Sequence, residues 1–340
     1  MLRRLEELSN LIGLPGDEGR VRRYIKAELS GIEGLEMKTD AMGNLVVHKP
    51  GKGPRVMVAA HMDEVGMMVI GVLDNGLLAY GQRGIDSRVV VSKRVLVGDD
   101  MIEGVIGAKA IHLQTAADRK TVLSHSELFV DIGAKDKDDA LKYVKPGDRI
   151  GFATKFKRLG SKRVLGKALD DRVGCAILMQ LLENNYDCDF YAAFTVQEEI
   201  GLRGMYAAAY NVAPDVAIIL EGTTANDMPD VKDVGFVTKM SHGAAISFMD
   251  SATIVSPDMF KALCETAKEN NIKWQPRQGT TGSNDQGPAQ RVRAGCKTGC
   301  ISVPCRYIHS PASMADIDDI NAAYALADAF LKNKKFNEVL

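Results

Sequence analysis

Apolar and polar residues alternate along this chain in three successive textures. In the first, Leu2–Leu11 and Asp17–Leu29 carry apolar residues at helical spacing, the second through Val21, Tyr24, Ile25 and Leu29. The acidic pair Asp17–Glu18 suits the first turn of that second helix. A polar strand (Gly43–His48), a turn rich in Gly and Pro, and the apolar run VMVAAHMDE follow.

The second texture is short-segmented and rich in Gly and Val. GMMVIGVL, GLLAYGQ, VVVSKRVLVG, EGVIGAKAIHLQ and RIGFATKF read as strands broken by DNG, VGDD and KPGD turns. Only Ser124–Leu128 and Asp136–Tyr143 look helical there. After Gly166 helices and buried strands alternate. Helices are predicted over Asp171–Asn184, Gly204–Tyr210, Pro257–Asn270, Asp285–Ala294 and Met314–Leu331. Strands are predicted over Asp189–Val196, Val216–Glu221, Val234–Lys239, Ala244–Asp250, Ile272–Gln275 and Thr298–Pro304. Apolar strands between helices make a central sheet covered on both faces. The expectation is an α/β fold whose main domain is discontinuous, residues 1–65 and 160–340, with an all-β, barrel-like domain inserted at 66–159.

At 340 residues the chain can bury a large core, and its apolar (46%) and charged (26%) fractions are those of globular proteins. A formal charge of -1 gives no electrostatic reason to expect nucleic acid or an anionic membrane as partner. The longest apolar stretches, such as Val56–Ala60 and Val216–Leu220, are strand-sized and span no bilayer. The opening MLRRLEELSN lacks the apolar core of a signal peptide, and six scattered cysteines read as reduced thiols, so a cytoplasmic protein is expected.

Four segments bearing acids or histidines share one context, the point where an apolar strand ends. VMVAAHMDE ends in His61 and Asp63, FYAAFTVQEE in Glu198 and Glu199, VAIILEG near Glu221, and GCISVPCRYIHS near His309. A fifth, GKALDDRVG, sets Asp170 and Asp171 just before a helix. In open α/β sheets ligands collect at the carboxyl ends of strands, so the five can converge. Two His, one bridging Asp and two further acids are the inventory of a two-cation site, in which a shared carboxylate offsets the repulsion between ions. Imidazole and carboxylate donors suit zinc or cobalt. Neighbouring Glu198 and Glu199 can divide the labour, one binding metal and the other moving a proton. Asp63, two residues after His61, is placed to accept the other ring N–H.

These segments resemble the glutamyl aminopeptidase group of co-catalytic metallopeptidases, which includes the tetrahedral aminopeptidases and proteins named endoglucanase M. AHMDEVGMMV, GKALDDRVG, QEEIGLRG, EGTTANDMP and RYIHSP fall in that family's order and spacing, and the likeness runs over essentially the whole chain. The resemblance implies a zinc-exopeptidase-like sheet and an aminopeptidase acting on short peptides with two divalent ions. His61, Asp170 and Glu221 would hold one ion, and Asp170, Glu199 and His309 the other. Glu198 matches the general base and Asp63 the histidine-orienting acid. The resemblance further implies a cis Asp170–Asp171 bond and a tetrahedral homododecamer built through the inserted domain. Two departures stand out: the family more often has Asp where Glu221 stands, and GTTGSNDQGPAQ replaces a Gly-Thr-Asp-Ala form, which leaves substrate preference open.

Simpler readings apply elsewhere. His48, His112, His125 and His242 read as ordinary surface or core residues, and Arg20, Arg22, Arg23 and Lys26 as a solvated helix face. A related deacylase or carboxypeptidase, an endoglucanase and an inactive scaffold are the competing functions. Glycoside hydrolysis needs two carboxyls facing each other across a sugar without metal, which the clustered histidines oppose.

Overall fold

The computed structural model describes residues 1–229, 231 and 235–340. The chain opens with helices α1 (Leu2–Asn10) and α2 (Gly19–Leu29), then strands β1 (Glu36–Thr39), β2 (Leu45–Lys49) and β3 (Arg55–His61). Six strands follow: β4 (Gly66–Val72), β5 (Leu78–Arg83), β6 (Arg94–Val97), β7 (Ile102–Gly107), β8 (Phe129–Asp131) and β9 (Arg149–Phe152), with a one-turn helix α3 (Lys137–Ala140) before β9. The remainder runs β10 (Lys157–Leu159), β11 (Arg163–Gly166), α4 (Leu169–Leu181), β12 (Asp189–Thr195), α5 (Arg203–Val212), β13 (Val216–Thr224) and β14 (Ala244–Ser247). It ends with α6 (Pro257–Glu269), β15 (Trp274–Arg277), α7 (Gln286–Arg291), β16 (Lys297–Arg306), β17 (Ser313–Asp316) and α8 (Ile317–Lys332).

Eleven strands form one mixed sheet in the order β1-β2-β12-β3-β13-β16-β17-β11-β10, with β14 and β15 branching from β16. Its centre, β12-β3-β13-β16, is parallel throughout. Both faces of that centre are covered, which is why its strands read as continuous apolar runs rather than alternating ones. Val56, Val58 and Ala60 of β3 face the core beneath α4 and α8, while Met57 and Ala59 face α5 and α7. Strands β4–β9 close into a separate six-stranded antiparallel barrel around its own core, including Met67, Val69, Leu78, Val97 and Phe152. The fold is therefore the expected α/β sheet flanked by helices, carrying an all-β barrel.

Several local expectations differ from the structure. The second helix starts at Gly19 rather than Asp17, because the Glu18 carboxylate accepts the backbone N–H groups of Gly16 and Gln197. Residues 313–316 are strand β17, paired with β11 and β16. The Asp316 side chain then accepts the Asp318 N–H and opens α8. Ser124–Leu128 reduces to a 3-10 turn at His125–Glu127, and Asp136–Tyr143 to the single turn of α3. In the predicted strand Val234–Lys239, Val234 lies outside the described residues and 235–239 form no strand.

A buried ionic cluster ties the N-terminus to the sheet. Glu64, 1% exposed, accepts from Lys167 Nζ at 2.7 and 2.8 Å, from Arg172 at 3.3 Å and from the Gly13 N–H at 3.0 Å. Lys167 and Arg172 also donate to the Leu11 and Leu8 carbonyls at the end of α1. Burial pulls the Lys167 pKa down to about 8, against the attraction of Glu64. Glu64→Ala strands two buried cations and is expected to lower stability by about 3–5 kcal/mol. A urea titration measures this, and a loss below about 1 kcal/mol, the scale of a surface pair, would contradict a structural role for the cluster.

Candidate active site

The four parallel central strands end side by side, and each brings one part of the site. β3 ends on His61, and β12 ends at Thr195, opposite His61 in the register. Glu198 and Glu199 follow β12 in a turn rather than on the strand itself. Glu221 lies in β13 opposite Ser302 of β16, and His309 follows β16 by three residues. Asp170 and Asp171 occupy a non-helical kink in the first turn of α4, joined by a cis peptide bond.

The five segments converge on Asp170. His61 Nε2 lies 3.4 Å from Asp170 Oδ1 and 3.3 Å from Glu221 Oε1. His309 Nε2 lies 3.6 Å from the other oxygen, Asp170 Oδ2, and 3.3 Å from Glu199 Oε2. Two groups of three donors result, His61–Asp170–Glu221 and Asp170–Glu199–His309, with Asp170 in both. These separations exceed good N–H···O hydrogen bonds, which run about 2.7–3.2 Å. All but the 3.6 Å between His309 and Asp170 match the edge of a tetrahedron of donors about 2.0–2.1 Å from a central ion, which is about 3.3–3.4 Å. Asp170 Oδ1, Glu221 Oε2 and His61 Nδ1 are buried with no hydrogen-bond partner among the described residues. Such orphaned polar atoms are costly unless something else satisfies them. The residues fit a pair of cations.

The electrostatics agree. Burial opposes ionisation throughout the site. It pushes Glu198 and Glu221 well above the usual carboxylate range and Glu199 up to about 7, with neighbouring acids adding to the rise and the imidazoles offsetting it. His61 is held protonated well above its ordinary value, because Glu221, Asp170 and Asp63 together outweigh its burial. Asp170 is buried as well, yet the two imidazoles outweigh that and keep its carboxyl low. So many acids crowded in a dry site need positive charge.

The supporting contacts are specific. Asp63, fully buried, accepts the backbone N–H of Glu198 at 3.0 Å and of Glu199 at 3.1 Å, which fixes the turn carrying both glutamates. The expected bond to the His61 ring is only a close approach, 3.4 Å from Nδ1, without hydrogen-bond geometry. Asp171 accepts the backbone N–H of His61 and of Gly174, joining β3 to α4. One contributor escapes a reading of the sequence. The Gly84 carbonyl, just beyond β5 of the barrel, meets His309 Nδ1 at 3.1 Å, and a backbone oxygen leaves no side-chain signature. Asp285 accepts the Thr195 hydroxyl beneath the site. His48, His125 and His242 keep ordinary roles, pairing with Asp189, with Tyr80 and with a backbone carbonyl. A cleft of about 400 Å³ opens over His61, Asp170, Glu198 and Glu221, with polar walls that include Thr223, Arg277 and Asn284.

The chain is similar to known aminopeptidases. The lysyl aminopeptidase of Pyrococcus furiosus is 32% identical over 312 residues, 88% of each chain. Among solved structures, a TET aminopeptidase from a marine sediment Thaumarchaeota archaeon superposes with a TM-score of 0.96 at 30% identity, covering 99% of this chain and 97% of that one. The Pyrococcus horikoshii TET1 peptidase, which can assemble into a tetrahedron or a large octahedral shell, superposes with a TM-score of 0.86 at 32% identity over 97% and 99%. Fold and site thus define a peptidase hydrolase that acts at peptide N-termini. The chain belongs to the M42 glutamyl aminopeptidase family, whose model matches residues 43–326.

Gly222 of β13 sets how closely Asp170 approaches the sheet. A Cβ there would lie 2.8 Å from Asp170 Cα and 2.9 Å from its Cβ. Gly222→Ala is therefore expected to displace Asp170 and to cost about 10²-fold in peptidase activity, the order expected for a misplacement near 1 Å. Assays of the folded variant, checked by circular dichroism, test this; near wild-type activity would mean that Asp170 tolerates displacement.

Proposed function

We propose that the chain is a dinuclear metal-dependent aminopeptidase that removes the N-terminal residue of short peptides, with Glu198 as its general base. The observation that carries this reading is that the two oxygens of Asp170 face different imidazoles, each with its own second carboxylate. On this reading His61, Asp170 and Glu221 hold one ion and Asp170, Glu199 and His309 the other. The donor set suits zinc or cobalt. Two such ions, when bound, polarise the scissile carbonyl and lower the pKa of the attacking water.

The chain's own residues do the rest. Glu198 lines the cleft beside His61 and Glu221 and belongs to neither donor group, so its carboxylate is free to take a proton. As the water oxygen bonds to the carbonyl carbon, its proton passes to Glu198. When the C–N bond breaks, Glu198 returns that proton to the leaving nitrogen. Asp63 positions Glu198 through the backbone N–H it accepts. The polar cleft receives the side chain of the N-terminal residue. Carboxylates bound up with imidazoles, rather than facing each other across an open groove, do not favour glycoside hydrolysis.

The same reading extends to assembly. Residues 66–159 act as the oligomerisation unit, because their surface leaves large apolar side chains in water, among them Ile111 at 64% and Val122 at 64% exposure. The assembly is a tetrahedral homododecamer in the cytoplasm, without nucleic acid or membrane as partner. A formal charge of -1 gives no electrostatic draw toward nucleic acid or an anionic membrane, and among the described residues no helix is long and apolar enough to cross a membrane.

Chelation is expected to abolish hydrolysis of aminoacyl p-nitroanilides, and zinc or cobalt to restore it; chelator-resistant turnover would refute metal dependence. Glu198→Gln should keep its metal, by elemental analysis, and lose about 10²–10⁴-fold in kcat. His61→Ala and His309→Ala should instead lose metal. A Glu198→Gln enzyme of near wild-type rate would remove Glu198 from the base role.

A further inference from the structure

The turn carrying Glu198 and Glu199 has a cleft on each side. Glu198 lines the first. Glu199 lines a second, of about 510 Å³, where the barrel meets the large sheet. This second cleft adjoins the His309 flank of the site. Glu199 Oε2 is 3.3 Å from His309 Nε2, and Gly84, whose carbonyl meets His309 Nδ1, directly follows Arg83 in the cleft wall. Its floor includes the buried apolar side chains of Leu14, Val65 and Met67.

Its rim is cationic. Arg83, Arg149 and Arg203 line it, and the one acid in the lining, Glu199, is turned to His309. Among the described residues none of these guanidiniums has a carboxylate at ion-pair distance. Arg149 donates to the Pro15 and Gly147 carbonyls, and its Nε is buried without a partner. Arg83 and Arg203 are exposed, and their side chains bond to nothing among the described residues. Cations gathered around one concavity attract an anion, and guanidinium forks match a carboxylate.

On the aminopeptidase reading, with the N-terminal residue in the first cleft, the leaving portion of the peptide would extend past the Glu198–Glu199 turn, whose second glutamate lines the other cleft. We propose that the second cleft holds this leaving portion and that Arg83 and Arg203, backed by Arg149, bind a carboxylate on it, foremost the C-terminus of a tripeptide. The inference rests on the aminopeptidase reading. A cavity of this volume is about 8 Å across if equant, room for about two extended residues at about 3.3–3.6 Å each. The C-terminus of a longer peptide would overshoot the arginines, so this subsite selects for short substrates.

Steady-state kinetics on the tripeptide X-Gly-Gly and its C-terminal amide test this, with X the best residue of a p-nitroanilide panel. The acid is expected to show a KM about tenfold below the amide, one charge-assisted contact's worth. In the Arg83→Gln, Arg203→Gln double variant that ratio should fall to about one, through a rise in the acid's KM rather than a fall in kcat. The amide of X-Asp-Gly separates the sources of charge: a low KM for it, lost in the double variant, would give the site to side-chain carboxylates as well. Equal KM values for acid and amide in the wild type would overturn the proposal. So would a ratio that survives in the double variant, including one that survives while sedimentation shows altered assembly. Failure to cleave any aminoacyl p-nitroanilide would instead sink the aminopeptidase reading itself.

Discussion

A single carboxylate, that of Asp170, lies between two imidazoles, and the arrangement of the sheet follows from the need to keep it there. Its two oxygens face opposite ways, toward His61 and toward His309, which arrive on strands separated in the sheet by β13. Such a carboxylate is stable only if the surrounding charge is balanced, and burial pushes the acids around it, Glu198 and Glu221, well above the usual carboxylate range. Four adjacent parallel strands bring these groups to one edge without any loop having to reach across the molecule. That is the economy of placing a site at the carboxyl ends of parallel strands.

Rigidity at the site comes from carboxylates that bond to backbone rather than to side chains. Asp63 fixes the turn after β12, and Asp171 fixes β3 against α4. The barrel contributes as well, since the Gly84 carbonyl orients the His309 ring. The orientation of one imidazole of the candidate site therefore depends on the barrel. The Glu64–Lys167–Arg172 cluster adds a further tie between the segments that carry His61 and Asp170.

The sheet centre and the site were legible because strong, redundant signals mark them. Val56–Ala60 and Val216–Leu220 are continuous apolar runs, and each ends in residues that an apolar strand would not otherwise tolerate. Four such strand ends, with the Asp170–Asp171 segment between them in order, leave little freedom. The edges were less legible. Strand β1, with the sequence EMKT, is largely exposed, so no alternation marks it. Strand β17 was hidden inside a helical periodicity that Asp316 interrupts by capping. Glu198 and Glu199 lie beyond the strand end that the apolar run predicts for them, in a turn held by Asp63, and they line different clefts. Asp63, which lies 3.4 Å from the His61 ring, also accepts two backbone N–H groups, partners that no residue pattern reveals.

The central claim is that Asp170 bridges two ions. Anomalous diffraction from crystals grown in zinc tests it most directly. The account predicts two peaks about 3.5–4 Å apart, one beside His61 and one beside His309, each in contact with a different oxygen of Asp170. A single peak, or a pair that Asp170 does not touch, would contradict it.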